Sequence, residues 1–428
     1  MSLAYFWIFI FLLASGMPVV FALLVGPGLS LVIDGQEQFF TALMSRLYNG
    51  IDSFPLMAVP FFILAGEIMN SGGITTSIVR FSQSMLGHLR GGLAQVNILS
   101  SLLLAGLSGS AVADASAIGK MLIPSMAENG YTRRFAAAVT AAAAIIGPII
   151  PPSGIMIIYA FVMNVSVGGL FAAGIVPGLM IAVGLMIMTS YLARVRNYPV
   201  ANRKATWGER GAAFKGSFLA LLTPVILLGG ILVGVFTPTE AASVAAAYAL
   251  VVALFVLRTL TFKQLPAIFA AVAVQSGVIL LLVGAGVTFA WLVTVSGMGE
   301  SIATGMLALT DNVLLLLLLV NLFLFGVGMF LDAGPAILIL GPVLAPVFVG
   351  LGVDPLHFAV VMCVNLTVGL ATPPMGLVLF VTSSISGEKV ETIAWEMMPF
   401  LAIEVVVIFL ITFFPALTMT LPRMMGFA

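Results

Sequence analysis

The chain is short of charge, cysteine and histidine, and each shortage excludes something. Asp, Glu, Lys and Arg make up 7% of its 428 residues, while 61% are hydrophobic. A soluble domain carries roughly 25% charged residues, so the chain reads as an integral membrane protein. Cys363 is the single cysteine, which leaves no disulfide framework and no cysteine-based metal cluster. The formal net charge is zero, and no basic patch of the size nucleic acid requires is present. No G-x-x-x-x-G-K-[ST] phosphate loop occurs, so nothing here would bind ATP. The first basic residue is Arg46. The N-terminus therefore lacks the charged segment of a signal peptide, and the first helix is expected to be retained.

What the chain has in abundance is apolar runs. They cover Ala4 to Ile33, Phe54 to Met69, Val167 to Leu192, Phe218 to Phe236, Ala241 to Leu257, Val272 to Val295, Val313 to Leu331 and Phe400 to Leu421. A spanning helix takes about 20 apolar residues, so roughly ten or more membrane segments are predicted, with no room for a soluble domain. Charge gives the orientation. Arg194, Arg196, Arg203, Lys204, Arg210 and Lys215 crowd a central loop, and Arg80, Arg90, Arg133 and Arg134 mark a second region. Both are assigned to the cytoplasm by the positive-inside rule. No Lys or Arg lies between Lys263 and Lys389, where the connectors carry Glu300, Asp311 and Asp354. Those connectors are placed outside.

The chain also repeats itself. GPIIPPSG (Gly147 to Gly154) and GLATPPMG (Gly369 to Gly376) share G-x-x-x-P-P-x-G. Each follows a small-residue turn ending in an acid. Ser110 to Asp114 reads SAVAD and is followed ten residues later by Pro124; Gly328 to Asp332 reads GMFLD and is followed ten residues later by Pro342. The segment between Arg90 and Arg133 leaves and returns on the cytoplasmic side, with a turn near Leu107 to Asp114. The segment between Asp311 and Asp354 does so from outside, with a turn near Gly326 to Asp332. Two re-entrant hairpins from opposite faces, each beside a helix broken by Pro-Pro, predict an inverted-repeat secondary transporter. Proline removes backbone donors and breaks the helix. Such backbone is tolerated at membrane depth only where it lines protein or a wet cavity. Its carbonyls can hold a cation and the next helix N-terminus an anion. A plain proline kink repaired by neighbouring helices is the alternative.

The chain resembles the large membrane subunit of tripartite ATP-independent periplasmic (TRAP) transporters. The resemblance rests on Phe54 to Ile74, Gly106 to Met126, Gly147 to Ala160, FTPTEAA at Phe236 to Ala242, Gly328 to Val347 and Gly369 to Phe380. It implies a sodium-coupled importer of organic acids, such as sialic acid or a C4-dicarboxylate, in the bacterial inner membrane. The implied partners are a periplasmic substrate-binding protein and a small four-helix membrane subunit. Some relatives carry that subunit fused at the N-terminus; here a separate chain is expected. The implied fold is all-α and polytopic, with an elevator mechanism in which hairpins and broken helices move across a scaffold. Residues 1–90 are expected to be scaffold and 91–165 the first hairpin and broken helix. Residues 166–297 are expected to be scaffold with a cytoplasmic linker near 194–215. Residues 298–388 would form the second hairpin and broken helix, and 389–428 a C-terminal scaffold helix.

At least two sodium sites are expected. The first takes Ser108, Ser110 and Asp114 with backbone from Gly147 to Ile150. The second takes Gly326, Gly328 and Asp332 with Ala371 and Thr372. Each Asp can be a sodium ligand or a cap on the outgoing hairpin arm, and both readings stand. An ionised Asp at mid-membrane costs about 2.5–3.5 kcal/mol on insertion scales. A carboxylate substrate is placed between the breaks, on Pro152 and Ser153 and on Pro374 and Met375. With no arginine at that depth, amides and hydroxyls would hold the anion. Glu240 is read as a favourable charge in a first helical turn, Glu67 as an anchor of a helix end or of the scaffold interface, and Lys120 as snorkelling toward the cytoplasm.

Two rival readings stand beside this one. Gly106 to Gly109 matches the G-x-S-G of rhomboid-like proteases, but a serine nucleophile needs a base beside it. Only His88 and His357 exist, both at apparent membrane edges, and no enzyme is expected. A stand-alone sodium/dicarboxylate symporter without a binding protein would share the fold.

Overall fold

The computed structural model describes residues 4–199 and 203–427, apart from the side chains of Leu107, Ser108 and Leu309. Among these residues the fold is all-helical. The chain opens with α1 (Ala4–Ala14), α2 (Val19–Ile33), α3 (Phe40–Ile51), α4 (Ala58–Ser71) and α5 (Ile74–Leu86). A helical hairpin follows, α6 (Gly92–Ser108) and α7 (Ala111–Glu128). Next comes a broken helix, α8 (Arg133–Ala144) with α9 (Ile146–Ile149), then α10 (Gly154–Val162). Five helices lead to the second half: α11 (Val167–Val195), α12 (Trp207–Leu232), α13 (Pro238–Val251), α14 (Leu265–Val295) and α15 (Met298–Leu309). The second hairpin is α16 (Val313–Gly328) with α17 (Ala333–Gly350), and the second broken helix is α18 (Pro355–Gly369) with α19 (Leu377–Ser386). The chain closes with α20 (Val390–Phe413) and α21 (Ala416–Met424).

Seven of the described helices are long and apolar enough to cross a membrane, or nine if two bent pairs count as spans. The expected ten or more overcounts because the chain cuts its own apolar runs. The first run is split into α1 and α2, each under the spanning length, at Gly16 with φ +88 and at Pro18. The arm α6 and the half-helices α18 and α19 are short as well. Glu240 does sit in a first turn. It completes a capping box in which Thr237 N–H donates to its carboxylate at 2.8 Å and Thr237 Oγ1 accepts from Glu240 N–H at 3.3 Å.

Helix packing separates two groups. In one, α4 packs on α13 and α14, α3 on α14, α1 on α2, and α12 on α5 and α13. In the other, the hairpins and broken helices pack crosswise between the halves: α7 lies on α19, and α17 lies on α10. Every residue of α8 from Phe135 to Ala144 is buried. Its alanines let the neighbouring backbones approach closely, the usual basis of helix association in a bilayer.

Two helices of the expected scaffold stretches, α11 from 166–297 and α20 from 389–428, pack on the hairpin and broken-helix group. α11 lies on α6, α18, α20 and α21, and α20 on α8, α11 and α18. The physical reason is a glycine seam. A Cβ at Gly174 would meet the Ile149 carbonyl oxygen at 2.8 Å, and one at Gly184 would meet Ile403 of α20 at 2.5 Å. These glycines seat α11 on the first break and on α20. Across the boundary, α5 and α4 pack on α6, and α14 packs on α17; α15 packs on α17 as well.

Candidate functional site

The first hairpin turns at Gly109, whose φ of +58 suits a residue without a Cβ. A Cβ there would meet the Pro152 carbonyl oxygen at 2.9 Å, so the tip rests on the first break. Ser110 caps α7, its hydroxyl accepting from Ala113 N–H at 3.4 Å. Asp114 is thereby not the cap. It lies in the first turn of α7, 2% exposed, with Oδ2 against Gly147 of α9 so closely that a Cβ at Gly147 would collide with it. The break itself covers residues 150–153 and contains a cis Pro151–Pro152 bond. The two half-helices around it are bent by 41°. Ser153 caps α10, accepting from Met156 N–H at 3.4 Å and donating its own proton to the Pro148 carbonyl.

The second tip is built differently. Asp332 is itself the cap of α17, with Oδ1 accepting from Ala333 N–H at 2.8 Å. Gly328, the last residue of α16, crosses α18 glycine on glycine. A Cβ at Gly328 would meet the Leu366 carbonyl oxygen at 2.9 Å and Gly369 Cα at 3.1 Å. The break runs over residues 370–376, has a cis Pro373–Pro374 bond, and ends at Gly376 with φ +50. Gly376 N–H donates to the Met329 carbonyl at 3.3 Å, tying break to tip. Thr372 is buried, and its hydroxyl donates to the Val368 carbonyl at 2.9 Å.

Both tips face one cavity of about 360 Å³. Ser110, Pro152 and Gly154 line it from the first half, Asp332 and Leu370 from the second, and Phe62 of α4 closes it from the other helix group. A smaller cavity of about 180 Å³ shares Ser110 and leads past Asp114 to Glu67, Asn70 and Gln275. Among the described residues no cluster of three or more His, Cys, Asp or Glu side chains could hold a metal ion. Cation ligands here would be carbonyls, hydroxyls and single carboxylates.

Of the residues expected at a first cation site, Ser110, Asp114 and Gly147 come together. Ile150 follows in the break, with its side chain against Gly178 of α11. The side chain of Ser108 lies outside the described residues. At the second, Asp332, Ala371 and Thr372 flank the tip and break, with Gly328 at the crossing. Gly326 lies two residues back inside α16, with nothing within 4 Å of a Cβ built there. Of the residues expected to touch substrate, Pro152 lines the shared cavity. Ser153 is fully buried, and its hydroxyl is engaged as donor and acceptor. Pro374 lines a separate cavity of about 940 Å³ between α19 and α20, and Met375 lies near half exposed beside it. The second break is longer than the first and carries both residues to the far side.

The sequence missed the apolar walls, Phe62, Ile63, Ile279 and Leu282, which look like any other residue of an apolar run. It also missed two buried amide links. Asn97 Nδ2 donates to Thr140 Oγ1 at 2.7 Å, joining α6 to α8. Asn321 Nδ2 donates to Thr412 Oγ1 at 3.0 Å and its Oδ1 accepts from Asn365 Nδ2 at 2.5 Å, joining α16, α18 and α20. An Asn inside an apolar run was the available signal. His357 shares a hydrogen bond of 2.8 Å with Thr418, so that ring is engaged at the α18–α21 contact.

Residues 6–417 match the family model described as the tripartite ATP-independent periplasmic transporter, DctM component. The chain belongs to this family. It is 41% identical to the sialic acid TRAP transporter large permease protein SiaM of Vibrio cholerae, over 96% of each chain. It is 37% identical to the C4-dicarboxylate TRAP transporter large permease protein DctM of Pseudomonas aeruginosa, over 90% of each. Against the sialic acid TRAP transporter permease protein SiaT of Haemophilus influenzae it is 40% identical, over 90% of this chain and 62% of that one. In fold it is similar to the YdaH transporter of Alcanivorax borkumensis, with a TM-score of 0.63, 17% identity and 92% and 89% of the two chains covered. It is also similar to MtrF of Neisseria gonorrhoeae, with a TM-score of 0.61, 14% identity and 89% and 84% covered. As a DctM-family large permease, the chain is a multi-pass membrane protein of secondary organic-acid transport and not an enzyme. The family implies a small membrane subunit and a periplasmic binding protein as partners.

Proposed function

We propose that this chain imports an organic acid across the bacterial inner membrane together with sodium, by an elevator movement. The observation that carries the proposal is the 360 Å³ cavity. Both hairpin tips and both breaks reach it on one side, and α4 and α14 close it on the other. A site held by one helix group and covered by a second suits a body that slides past a scaffold. The crosswise packing of α7 on α19 and α17 on α10 supports a pseudo-two-fold relation between the halves, and the charge map supports its being inverted. On this reading the moving body holds α6 to α11 and α15 to α21, and α1 to α5 with α12 to α14 form the scaffold.

The first sodium site is assigned to Ser110, Asp114 and the carbonyls of the first break, beside Gly147. The second is assigned to carbonyls at the second tip and break, around Gly328, Ala371 and Thr372, with Asp332 fixing the tip. The substrate carboxylate is assigned to the shared cavity, at the start of α10. Relatives are named for sialic acid, C4-dicarboxylates and 2,3-diketo-L-gulonate, which sets the class to test. The experiment is uptake of sialic acid and of succinate into proteoliposomes containing this chain and its small subunit, with and without the binding protein, under a sodium or potassium gradient. Uptake that requires both sodium and the binding protein is expected. Uptake indifferent to sodium overturns the coupling, and uptake by this chain alone makes it a stand-alone symporter.

A further inference from the structure

The 940 Å³ cavity between α19 and α20 has no place in the transport path described above. Its floor is Pro373 and Pro374 of the second break, and its walls are Phe380 of α19 and Ala394, Trp395 and Met398 of α20. At its mouth stand Lys389 and Glu391. Along α20, Glu391, Ala394, Trp395 and Met398 fall at i, i+3, i+4 and i+7, so they form one stripe. The stripe's large side chains face out of the protein: Trp395 is 76% exposed and Met398 43%, with Phe380 of α19 beside them at 48%, while Ala394 is buried. The opposite stripe, Ile393, Met397 and Phe400, is fully buried. Large apolar side chains exposed on a membrane-spanning helix meet hydrocarbon, and an outward Trp marks the interface.

The mouth lies at the basic edge of the molecule. Glu396, just beyond it on α20, pairs with Arg196 and with Arg134, the latter at 3.7 Å. Those arginines belong to the segments that the positive-inside rule puts in the cytoplasm. Lys389 and Glu391 themselves form no ion pair among the described residues. Lys389 is the N-cap of α20, and no side chain caps that helix. Its first amides and the Lys389 ammonium therefore point to one acceptor, a phosphate. Glu391, two residues on, needs a donor cation. One positive and one negative group, fixed two residues apart above an apolar trough, complement a zwitterionic headgroup that carries a phosphate and a primary amine.

We infer that this groove is a binding site for a phosphatidylethanolamine-type lipid of the inner leaflet. The phosphate is held by Lys389 and the α20 N-terminus, the ammonium is held by Glu391, and the acyl chains run along Trp395, Met398 and Phe380 to the second break. The requirement for a primary amine separates this site from general adhesion of lipid. A choline headgroup presents the same phosphate but no N–H donor to Glu391.

The test is native mass spectrometry of the purified complex of this chain with its small subunit, delipidated and then titrated with phosphatidylethanolamine, phosphatidylcholine or phosphatidylglycerol of identical chains. The expected result is retention of one phosphatidylethanolamine about fivefold more strongly than phosphatidylcholine, the size of one hydrogen bond. Glu391→Gln abolishes that preference while keeping phosphate-dependent retention. Lys389→Ala lowers retention of both lipids, and Trp395→Ala lowers it without altering the preference. Equal retention of the amine and choline lipids by the unmodified complex overturns the inference, and that comparison needs no variant to fold. A preference that survives Glu391→Gln overturns it as well. So does a groove that binds lipid in this chain alone and loses it when the small subunit is added, because the groove is then a subunit interface.

Discussion

The two hairpin tips carry the same ingredients and use them differently. Each has a glycine turn, an acid and the start of an outgoing helix. At the first tip Ser110 takes the capping role, and the carboxylate of Asp114 sits further along the same turn, against Gly147. At the second tip Asp332 is the cap, and close packing falls instead to Gly328 where it crosses Gly369. A small hydroxyl thus takes, at the first tip, the capping role that the acid takes at the second. The difference predicts that a perturbation at the first tip reads out in ion coupling, and one at the second tip in stability.

The largest expected effect is at the second tip. A methyl group on Gly328 would press on a carbonyl oxygen and a Cα of α18, backbone atoms that cannot swing aside. Overpacking of this kind costs about 1–3 kcal/mol, occasionally more. Gly328→Ala should lower the Tm of the detergent-solubilised complex and abolish most uptake. Gly326→Ala, two residues away with nothing within 4 Å, should hold or raise Tm, since alanine exceeds glycine in helix propensity by about 1 kcal/mol. Equal losses from the two variants would break the comparison. A change in sodium dependence in Gly326→Ala alone would restore that residue to the cation site.

At the first tip the methyl of Gly147→Ala meets a carboxylate oxygen rather than backbone. The side chain can move, so the fold survives and the carboxylate is displaced. Gly147→Ala and Asp114→Asn should each raise the sodium concentration for half-maximal uptake about tenfold, equivalent to 1.4 kcal/mol, with little change in Tm. Asp332→Asn should shift it less, about twofold, because asparagine caps a helix as well as aspartate. Asp332→Ala removes the cap and should cost about 1 kcal/mol of stability. Sodium titrations of uptake, run beside melting curves, decide the assignment. A larger sodium shift in Asp332→Asn than in Asp114→Asn would reverse the roles of the tips.

Much of this is legible in the sequence. The Pro-Pro pairs forced breaks because proline removes donors, and the acids after each glycine turn marked two helix starts. What was hidden was hidden for physical reasons. Phe62 and Ile279 line the cavity, yet an apolar side chain in a membrane helix looks the same whether it faces lipid, protein or substrate. The same ambiguity hides which helices α11 and α20 pack on. Lipid tails are as apolar as leucine, so hydropathy cannot say which neighbour a span chooses. The glycines at 174, 178 and 184 carried that information, and only contact with Ile149, Ile150 and Ile403 revealed it. The unequal lengths of the two breaks, which move Pro374 and Met375 out of the shared cavity, lay beneath an identical motif.

The smallest effect expected tests whether the halves also differ at their cytoplasmic ends. The start of α8 holds the second half through two neighbouring arginines. Arg133 donates to the Ser386 carbonyl at 3.4 Å, and Arg134 reaches Glu396 at 3.7 Å, where Arg196 also binds. Arg196 in addition stacks over Phe135, 5.5 Å from its ring centre. Exposed ion pairs contribute about 0–1 kcal/mol each. Two arginines on a mostly buried carboxylate, one braced by an aromatic face, belong at the upper end of that range. Glu396→Gln keeps the shape and removes the charge, so a loss of about 1 kcal/mol and a Tm lower by about 2 °C are expected. The loss should shrink at high salt, because screening weakens exposed pairs. Arg133→Ala should cost less, since it removes one long hydrogen bond. If α11 and α20 move as one body with α8, neither variant changes the sodium concentration for half-maximal uptake. A clear shift in Glu396→Gln would mean that this contact breaks during transport, and would return α20 to the scaffold.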